Sequence, residues 1–161
     1  MTTTVTPRTP EARMPNPAGL VPGAGEAVGA LAAAAHAGGL PPSLLDLVHL
    51  RVSLINGCSS CVLGGTRSAR AAGETEDRLA TVGAWREAPF FTDAERAALE
   101  LAELVTRLAD RGDAVPDAAW DEARSHFDER GLAALLLWIA TSNLFNRLNA
   151  PVRQVAGTGW A

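Results

Sequence analysis

The sequence predicts an all-α protein, a single-domain bundle of six to seven helices. Prolines and glycines divide the chain into segments of helical length, and apolar residues recur inside these segments with helical spacing. No segment alternates over a useful length with the period of two that marks a strand. With 161 residues and 47% apolar composition, the chain can bury one sizeable core, so we expect one domain.

The predicted helices each have local start or stop signals. They lie within residues 23–39, 41–57, 59–72, 75–85, 92–110, 115–127 and 129–148. Ser43 is the expected N-cap of the second helix, Gly57 and Gly73 stop the second and third, and Thr92 with Glu95 matches a capping box. Pro116 fits the first turn of the sixth helix, and the seventh ends before a proline.

The chain is expected to consist of an N-terminal arm, residues 1–22, and a helical domain, residues 23–161. The arm contains Thr and half of the prolines without periodicity, so we expect it to be flexible or ordered against a neighbouring subunit. It lacks the charged head and apolar run of a signal peptide, which predicts a cytoplasmic protein.

Charge and hydropathy argue against two classes of partner. The formal net charge of −4 leaves no basic surface for nucleic acid. The most apolar run, residues 131–145, is shorter than the roughly 20 residues that a bilayer span requires, so it predicts a buried helix. Because residues 132–139 are apolar on nearly every face of that helix, we also expect a homo-oligomer.

The second predicted helix carries one polar stripe. Asp46, His49, Ser53 and Asn56 fall within an arc of about 80° on a helical projection, and apolar residues fill most of the remainder. Two interpretations stay open. The stripe faces water, or it lines a pocket in which an acid and an imidazole one turn apart pass protons.

The two cysteines of the chain, Cys58 and Cys61, stand one helical turn apart directly after Gly57. A helix N-terminus stabilises a thiolate, and this spacing lets the sulfurs close a disulfide ring, so we expect a reversible dithiol. A zinc site would need two more ligands, and the three histidines lack paired spacing, so we expect no metal. Two buried thiols that pack as small hydrophobes remain an alternative, and a permanent disulfide is less expected in a reducing compartment.

Residues 44–106 resemble the alkyl hydroperoxidase D-like members of the carboxymuconolactone decarboxylase superfamily. The resemblance is carried by "LRVSLINGCSSC", "ARAAGETEDRL" and "WREAPFFTDAERAAL", and "NLFNRLNAP" at 143–151 resembles the closing helix of that family. It implies an all-helical fold, trimers or hexamers, and thiol-dependent reduction of peroxides or disulfides without a cofactor. The implied partners are a small peroxide or disulfide substrate and a protein or lipoyl dithiol as reductant.

The resemblance also assigns roles to residues. Asp46 occupies the position of the family's carboxylate, and Cys58 and Cys61 match the redox pair. We expect Cys61 as the first nucleophile and Cys58 as the resolving thiol, and the order in which the two sulfurs attack stays open. Gly65 stands where the family has a histidine base, so Gly65→His is expected to restore activity if that base is simply missing. His49 could supply an imidazole from the other helix, or it is an ordinary partly exposed histidine.

The leading functional hypothesis is therefore a thiol–disulfide oxidoreductase of the peroxidase-like type with a remodelled site. One alternative is decarboxylation of a lactone acid, although that chemistry does not need a dithiol. Another alternative is a non-catalytic oligomeric scaffold that kept the fold.

Overall fold

The computed structural model describes residues 10–109 and 111–160, and the regular elements within these ranges are all helices. They are α1 (Pro17–Leu20), α2 (Ala24–His36), α3 (Pro42–Asn56), α4 (Ser59–Ala71), α5 (Glu76–Thr81), a 3₁₀ helix (Val82–Ala84), α6 (Asp93–Thr106), α7 (Asp117–His126) and α8 (Glu129–Asn149). The all-α prediction is confirmed. Eight α-helices replace the expected six or seven because a four-residue helix forms within the predicted arm.

The local signals at the helix ends are mostly confirmed. Gly57 adopts the left-handed conformation with φ 67° and ends α3, and Thr92 with Glu95 forms the predicted capping box at the start of α6. The expected cap at Ser43 is wrong. Pro41 is the N-cap and Pro42 starts the helix, because proline tolerates the first turn, where its missing N–H has no partner to lose.

Helix α3 is the central element of the bundle. It packs against α4, α6 and α8, and its buried apolar residues contribute to both hydrophobic clusters of the described chain. Val48 and Val52 meet Leu135 and Ile139 of α8 in one cluster. Because α3 is buried on most faces, the polar side chains that it turns toward neighbouring helices need hydrogen-bond partners inside the protein.

A buried carboxylate fixes the linker between α5 and α6. Glu103 of α6, 5% exposed, accepts a 2.7 Å hydrogen bond from Trp85 Nε1 and forms ion pairs with Arg51 at 2.6 Å and Arg86 at 2.9 Å. Since Arg51 belongs to α3, this cluster ties α3 to α6.

The predicted arm lies partly outside the described residues, which begin at residue 10. The described part contacts the C-terminal segment of the same chain. The Arg13 backbone N–H donates to the carbonyl of Val152 at 2.8 Å, and Asn16 is 1% exposed. The division of the chain at residue 22 stays a prediction. Across the described ranges, none of the helices has the length and apolar character needed to cross a bilayer.

Candidate active site

The cysteine pair lies at the start of α4. Cys58 is the N-cap residue and Cys61 lies in the first turn, and the two side chains are joined as a disulfide. Their exposed fractions are 2% and 6%. The Cys61 backbone N–H donates to Cys58 Sγ at 3.3 Å, so the N-terminus of α4 points at this sulfur. The spacing read from the sequence therefore does bring the two sulfurs together.

A cavity of about 320 Å³ opens beside Cys61, among α3, α4 and α8. Its lining residues are His36, Asp46, His49, Cys61, Gly64, Gly65, Ser68, Trp138, Phe145 and Asn149. Three of the four predicted site residues, Asp46, His49 and Cys61, thus meet at one cavity. Cys58 is not among its lining residues and borders a smaller depression of about 100 Å³ instead.

The polar stripe of α3 divides between two environments. Asp46 and His49 reach the cavity. Further along the helix, Ser53 accepts a 3.1 Å hydrogen bond from Asn146 of α8, and Asn56 donates to the same residue at 2.7 Å. Both interpretations offered by the sequence are therefore incomplete, because half of the stripe lines a pocket and half pairs with another helix.

Burial raises the pKa of the Asp46 carboxyl above its usual range, although the nearby Ser68 hydroxyl and His36 partly offset this effect. Charge repulsion from Glu74 raises the pKa of Asp46 further. A carboxylate with a raised pKa binds a proton more readily than an exposed aspartate, which is the property required of a base.

Burial lowers the pKa of His49 to about 4, with a partial opposing effect from the backbone carbonyl of Cys61. The imidazole is consequently neutral at neutral pH. Its Nδ1 lies 3.0 Å from Ser142 Oγ of α8, and its ring centroid lies 5.8 Å from that of Trp138. His49 is thus a half-buried, hydrogen-bonded histidine that lines the same cavity as Cys61. Both sequence interpretations of His49, an imidazole at the site and a partly exposed histidine, fit this position.

Gly65 leaves room for the ring of His49. A Cβ atom at Gly65 would lie 2.9 Å from His49 Cδ2 and 3.1 Å from a methyl carbon of Leu50, whereas a Cβ at Gly64 would meet open space. The imidazole from α3 therefore occupies the space next to α4 that a side chain at position 65 would need. This geometry opposes the expected rescue by Gly65→His, because the new side chain would first displace His49.

Comparison with known proteins places this site in a family context. The model of the carboxymuconolactone decarboxylase family matches residues 22–104, half of the chain, including the stripe residues and both cysteines. The chain belongs to the carboxymuconolactone decarboxylase family. The resemblance read from the sequence is confirmed.

Two uncharacterized bacterial proteins are similar to the chain. YdfG of Bacillus subtilis (strain 168) is 39% identical over 104 residues, which cover 65% of this chain and 69% of YdfG. YnjA of Escherichia coli (strain K12) is 34% identical over 112 residues, which cover 69% of this chain and 59% of YnjA.

The same fold occurs in a solved structure. The crystal structure of ATU0492 from Agrobacterium tumefaciens, a protein of unknown function proposed as an antioxidant defence protein AhpD, matches with a TM-score of 0.85 and 32% sequence identity. The match covers 92% of this chain and all of that one. The all-helical fold is therefore of the alkyl hydroperoxidase D-like type.

Sequence reasoning missed several residues of this family member's cavity. Trp138 and Phe145 form an apolar wall, and the edge of His36 packs on Trp138 with ring centroids 4.5 Å apart. Asn149 donates to Cys61 Sγ at 3.2 Å. Its position in "NLFNRLNAP", the segment that resembles the closing helix of the family, was the available signal, but no spacing rule connects that segment to the cysteines.

Proposed function

We propose that the protein is a thiol–disulfide oxidoreductase of the peroxidase-like type, which uses Cys58 and Cys61 to reduce peroxides or disulfides. The observation that carries this proposal is the position of the disulfide. One of its sulfurs belongs to a residue that lines a cavity shared with a carboxyl group of raised pKa and a neutral imidazole. A redox pair, a base and a space for substrate are therefore adjacent.

The reaction begins from the dithiol state. The Cys61 thiolate attacks one oxygen of a hydroperoxide, the O–O bond breaks, and the released oxygen takes a proton and leaves as the alcohol. Cys61 is then a sulfenic acid. The Cys58 sulfur attacks the Cys61 sulfur, the hydroxyl leaves as water with the Cys58 proton, and the disulfide forms. A protein or lipoyl dithiol returns two electrons and two protons and itself becomes a disulfide.

The position of Cys61 supports its role as the first nucleophile, since it lines the larger cavity and Cys58 does not. The directions of the pKa shifts favour Asp46 over His49 as the base. An ordinary thiol has a pKa of about 8.5, and the raised pKa of Asp46 reduces the mismatch with the thiol. The lowered pKa of His49 increases it, so His49 acts as a neutral hydrogen-bonding group beside the sulfur.

The lactone decarboxylase alternative is less well supported. Lactone acids are anions, and among the described residues that line the cavity there is no arginine to bind a carboxylate. The carboxylate of Asp46 would moreover repel the carboxylate of a lactone acid. The apolar wall of Trp138 and Phe145 suits an uncharged organic peroxide better.

The test begins with the reduced protein, freed of reductant and treated with an uncharged organic hydroperoxide such as cumene hydroperoxide. Mass spectrometry should show loss of both thiols and formation of the Cys58–Cys61 disulfide, and steady turnover should appear with dihydrolipoamide or a thioredoxin as reductant. If both thiols stay free, or both become sulfonic acids without a disulfide, the oxidoreductase proposal fails and the scaffold alternative gains support.

The role of Asp46 has its own variant. Asp46→Asn keeps the shape and removes the base, so the peroxide rate should fall by about 10² to 10⁴, the usual contribution of a general base. The matched control is Asp121→Asn, since Asp121 is exposed on α7 and does not line the cavity. Equal rates for the two variants would remove Asp46 from the mechanism.

A further inference from the structure

We infer that Asn149 is a further catalytic residue, because its side-chain amide is locked in the orientation that donates a hydrogen bond to the reacting sulfur of Cys61. This inference rests on the proposed function. Asn149 is the last residue of α8, is 5% exposed and lines the cavity. Its Nδ2 lies 3.2 Å from Cys61 Sγ.

The orientation of the amide follows from the chemistry of its neighbours. The indole Nε1 of Trp160 lies 2.8 Å from Asn149 Oδ1. An indole N–H can donate a hydrogen bond and cannot accept one, so the atom facing it must be the amide oxygen. The NH₂ group of Asn149 must therefore face the sulfur.

A second donor fixes the same orientation independently. Asn16 Nδ2 donates to Asn149 Oδ1 at 2.7 Å. The amide of Asn16 is itself oriented, because the backbone N–H of Ala18 donates to Asn16 Oδ1 at 3.0 Å. In a flipped Asn149, the NH₂ group would face the donors of Asn16 and Trp160. The hydrogen bonds to these two residues and to Cys61 would all be lost.

Two distant parts of the chain build this lock. Asn16 lies 133 residues before Asn149 and is buried to 1% exposure, while Trp160 comes from the C-terminal tail and packs on Phe145 with ring centroids 5.8 Å apart. Burying an amide is costly unless its hydrogen bonds are made, and here the bonds converge on one side chain. Asn16 and Trp160 are therefore positioning residues for Asn149.

The locked donor acts on the charge state of Cys61. In the dithiol state, an N–H that points at the sulfur stabilises the thiolate more than the neutral thiol. The same donor helps when a reductant thiolate attacks the Cys58 sulfur. The S–S bond then breaks, its electron pair moves to Cys61, and the reductant is joined to Cys58 as a mixed disulfide. In both steps Asn149 stabilises negative charge on the same sulfur.

The other hydrogen-bond donor to the cysteine pair is a backbone group, and it acts on Cys58 and not on Cys61. Cys58 Sγ accepts from the Cys61 N–H and lies at the N-terminus of α4, and a side-chain substitution at position 149 leaves both contacts in place. A change that appears on Cys61 alone can therefore be assigned to the Asn149 amide.

The experiment measures thiol ionisation through the pH dependence of alkylation by iodoacetamide, in the full chain carrying Cys58→Ser so that one thiol remains. Asn149→Asp keeps the size and keeps an oxygen for Asn16 and Trp160, but it replaces the donor to Cys61 with an oxygen. The midpoint of the alkylation profile should rise by about one to two pH units, the range expected for loss of a hydrogen bond to a charged group. Asn149→Ala, which adds no charge, should raise the midpoint by about one unit.

Three comparisons make the test specific. Asn146→Asp, a buried asparagine of the same helix that bonds Ser53 and does not contact sulfur, should leave the midpoint unchanged. Trp160→Phe, which removes the indole N–H and keeps a ring, should give a smaller rise than Asn149→Asp. In the Cys61→Ser background, where Cys58 is the remaining thiol, Asn149→Ala should produce no rise.

The inference is overturned by an unchanged midpoint in folded Asn149→Asp and Asn149→Ala, or by an equal rise on Cys58 and Cys61. Thiol ionisation requires neither peroxide nor reductant. An unchanged midpoint in a protein that turns over peroxide would therefore remove the role of Asn149 alone. A raised midpoint in a protein without turnover would support the hydrogen bond and defeat the oxidoreductase proposal.

Discussion

Gly65 and His49 compete for the same volume beside the disulfide. A Cβ at Gly65 would approach the imidazole to 2.9 Å, which real Cβ contacts essentially never reach, and the ring is held on its other side by Ser142. Glycine at position 65 lowers the helix propensity of α4, but it leaves space for the half-buried imidazole of His49 next to Cys61. The absence of a histidine at position 65 and the presence of His49 in this space are therefore linked.

Gly65→Ala tests this coupling, with Gly64→Ala as the matched control on the same helix. Both substitutions gain about 1 kcal/mol of helix propensity, but only Gly65→Ala introduces a clash, since a Cβ at Gly64 meets open space. We expect Gly65→Ala to be less stable than Gly64→Ala by about 1 to 3 kcal/mol in urea unfolding, the usual cost of overpacking. Equal stabilities would mean that the His49 ring moves aside freely.

The contact between α3 and α8 joins two polar rows. His49 meets Ser142, Ser53 meets Asn146, and Asn56 donates to Asn143 at 3.0 Å as well as to Asn146. Every one of these side chains would be costly to bury alone, so the two helices specify each other's register by pairing them. The cavity lies beside this contact, and Asp46 of α3 and Asn149 of α8 both line it.

The α3–α8 contact should make stability depend on pH through His49. Its pKa is about 4 in the folded protein against about 6.5 when unfolded, so protonation favours the unfolded state. The stability present above pH 6.5 is lost as the pH falls, by about 3 kcal/mol once the pH is below 4. His49→Gln cannot gain this proton and should lose correspondingly less stability between neutral pH and about pH 4.

Urea unfolding of parent and variant at several pH values measures this difference, and any pH-independent packing cost of the substitution cancels in the comparison. His126→Gln is the control, because His126 is exposed on α7 and contacts Glu122. The assignment to His49 would be wrong if His49→Gln lost as much stability in acid as the parent does.

Local signals made the helices predictable, and the contacts between them were not. Gly57 and the Thr92–Glu95 capping box act within one turn of chain, so the sequence alone places those helix ends. The pairing of Asn56 with Asn146 spans 90 residues, and a helical projection of α3 does not reveal which partner meets its polar stripe. For the same reason the polar stripe of α3 predicted either a pocket or a solvent-exposed face, and the pairing of Ser53 and Asn56 with α8 was not predicted.

At the scale of the whole molecule, segments near both ends of the described chain contact the candidate site. The segment around Asn16 and the tail around Trp160 contact Asn149 from two directions, and neither segment shows a periodic pattern in the sequence. The cysteine motif and Asp46 could be located from spacing and resemblance. The residues that orient the sulfur could not, because only the folded chain brings residues 16, 149 and 160 together.

The assembly of the protein is the prediction that belongs to the whole chain. We propose a homo-oligomer, a trimer or hexamer, because α8 keeps apolar surface beyond the core. Leu132 and Leu136 line an open groove of about 720 Å³ together with Trp120 and Phe127. A groove of this kind on a domain of 16.8 kDa suits association with a second copy through apolar contact.

Light scattering at micromolar concentration should give a mass that is three or six times 16.8 kDa. Because apolar association is strengthened by sulfate and ion pairing is weakened by salt, the oligomer should persist or grow in ammonium sulfate. Leu136→Glu would place a charge in the groove and should dissociate the oligomer, whereas Glu129→Gln at its rim should not. A monomeric parent would contradict the prediction, and an oligomer that survives Leu136→Glu would place the interface on another face of the molecule.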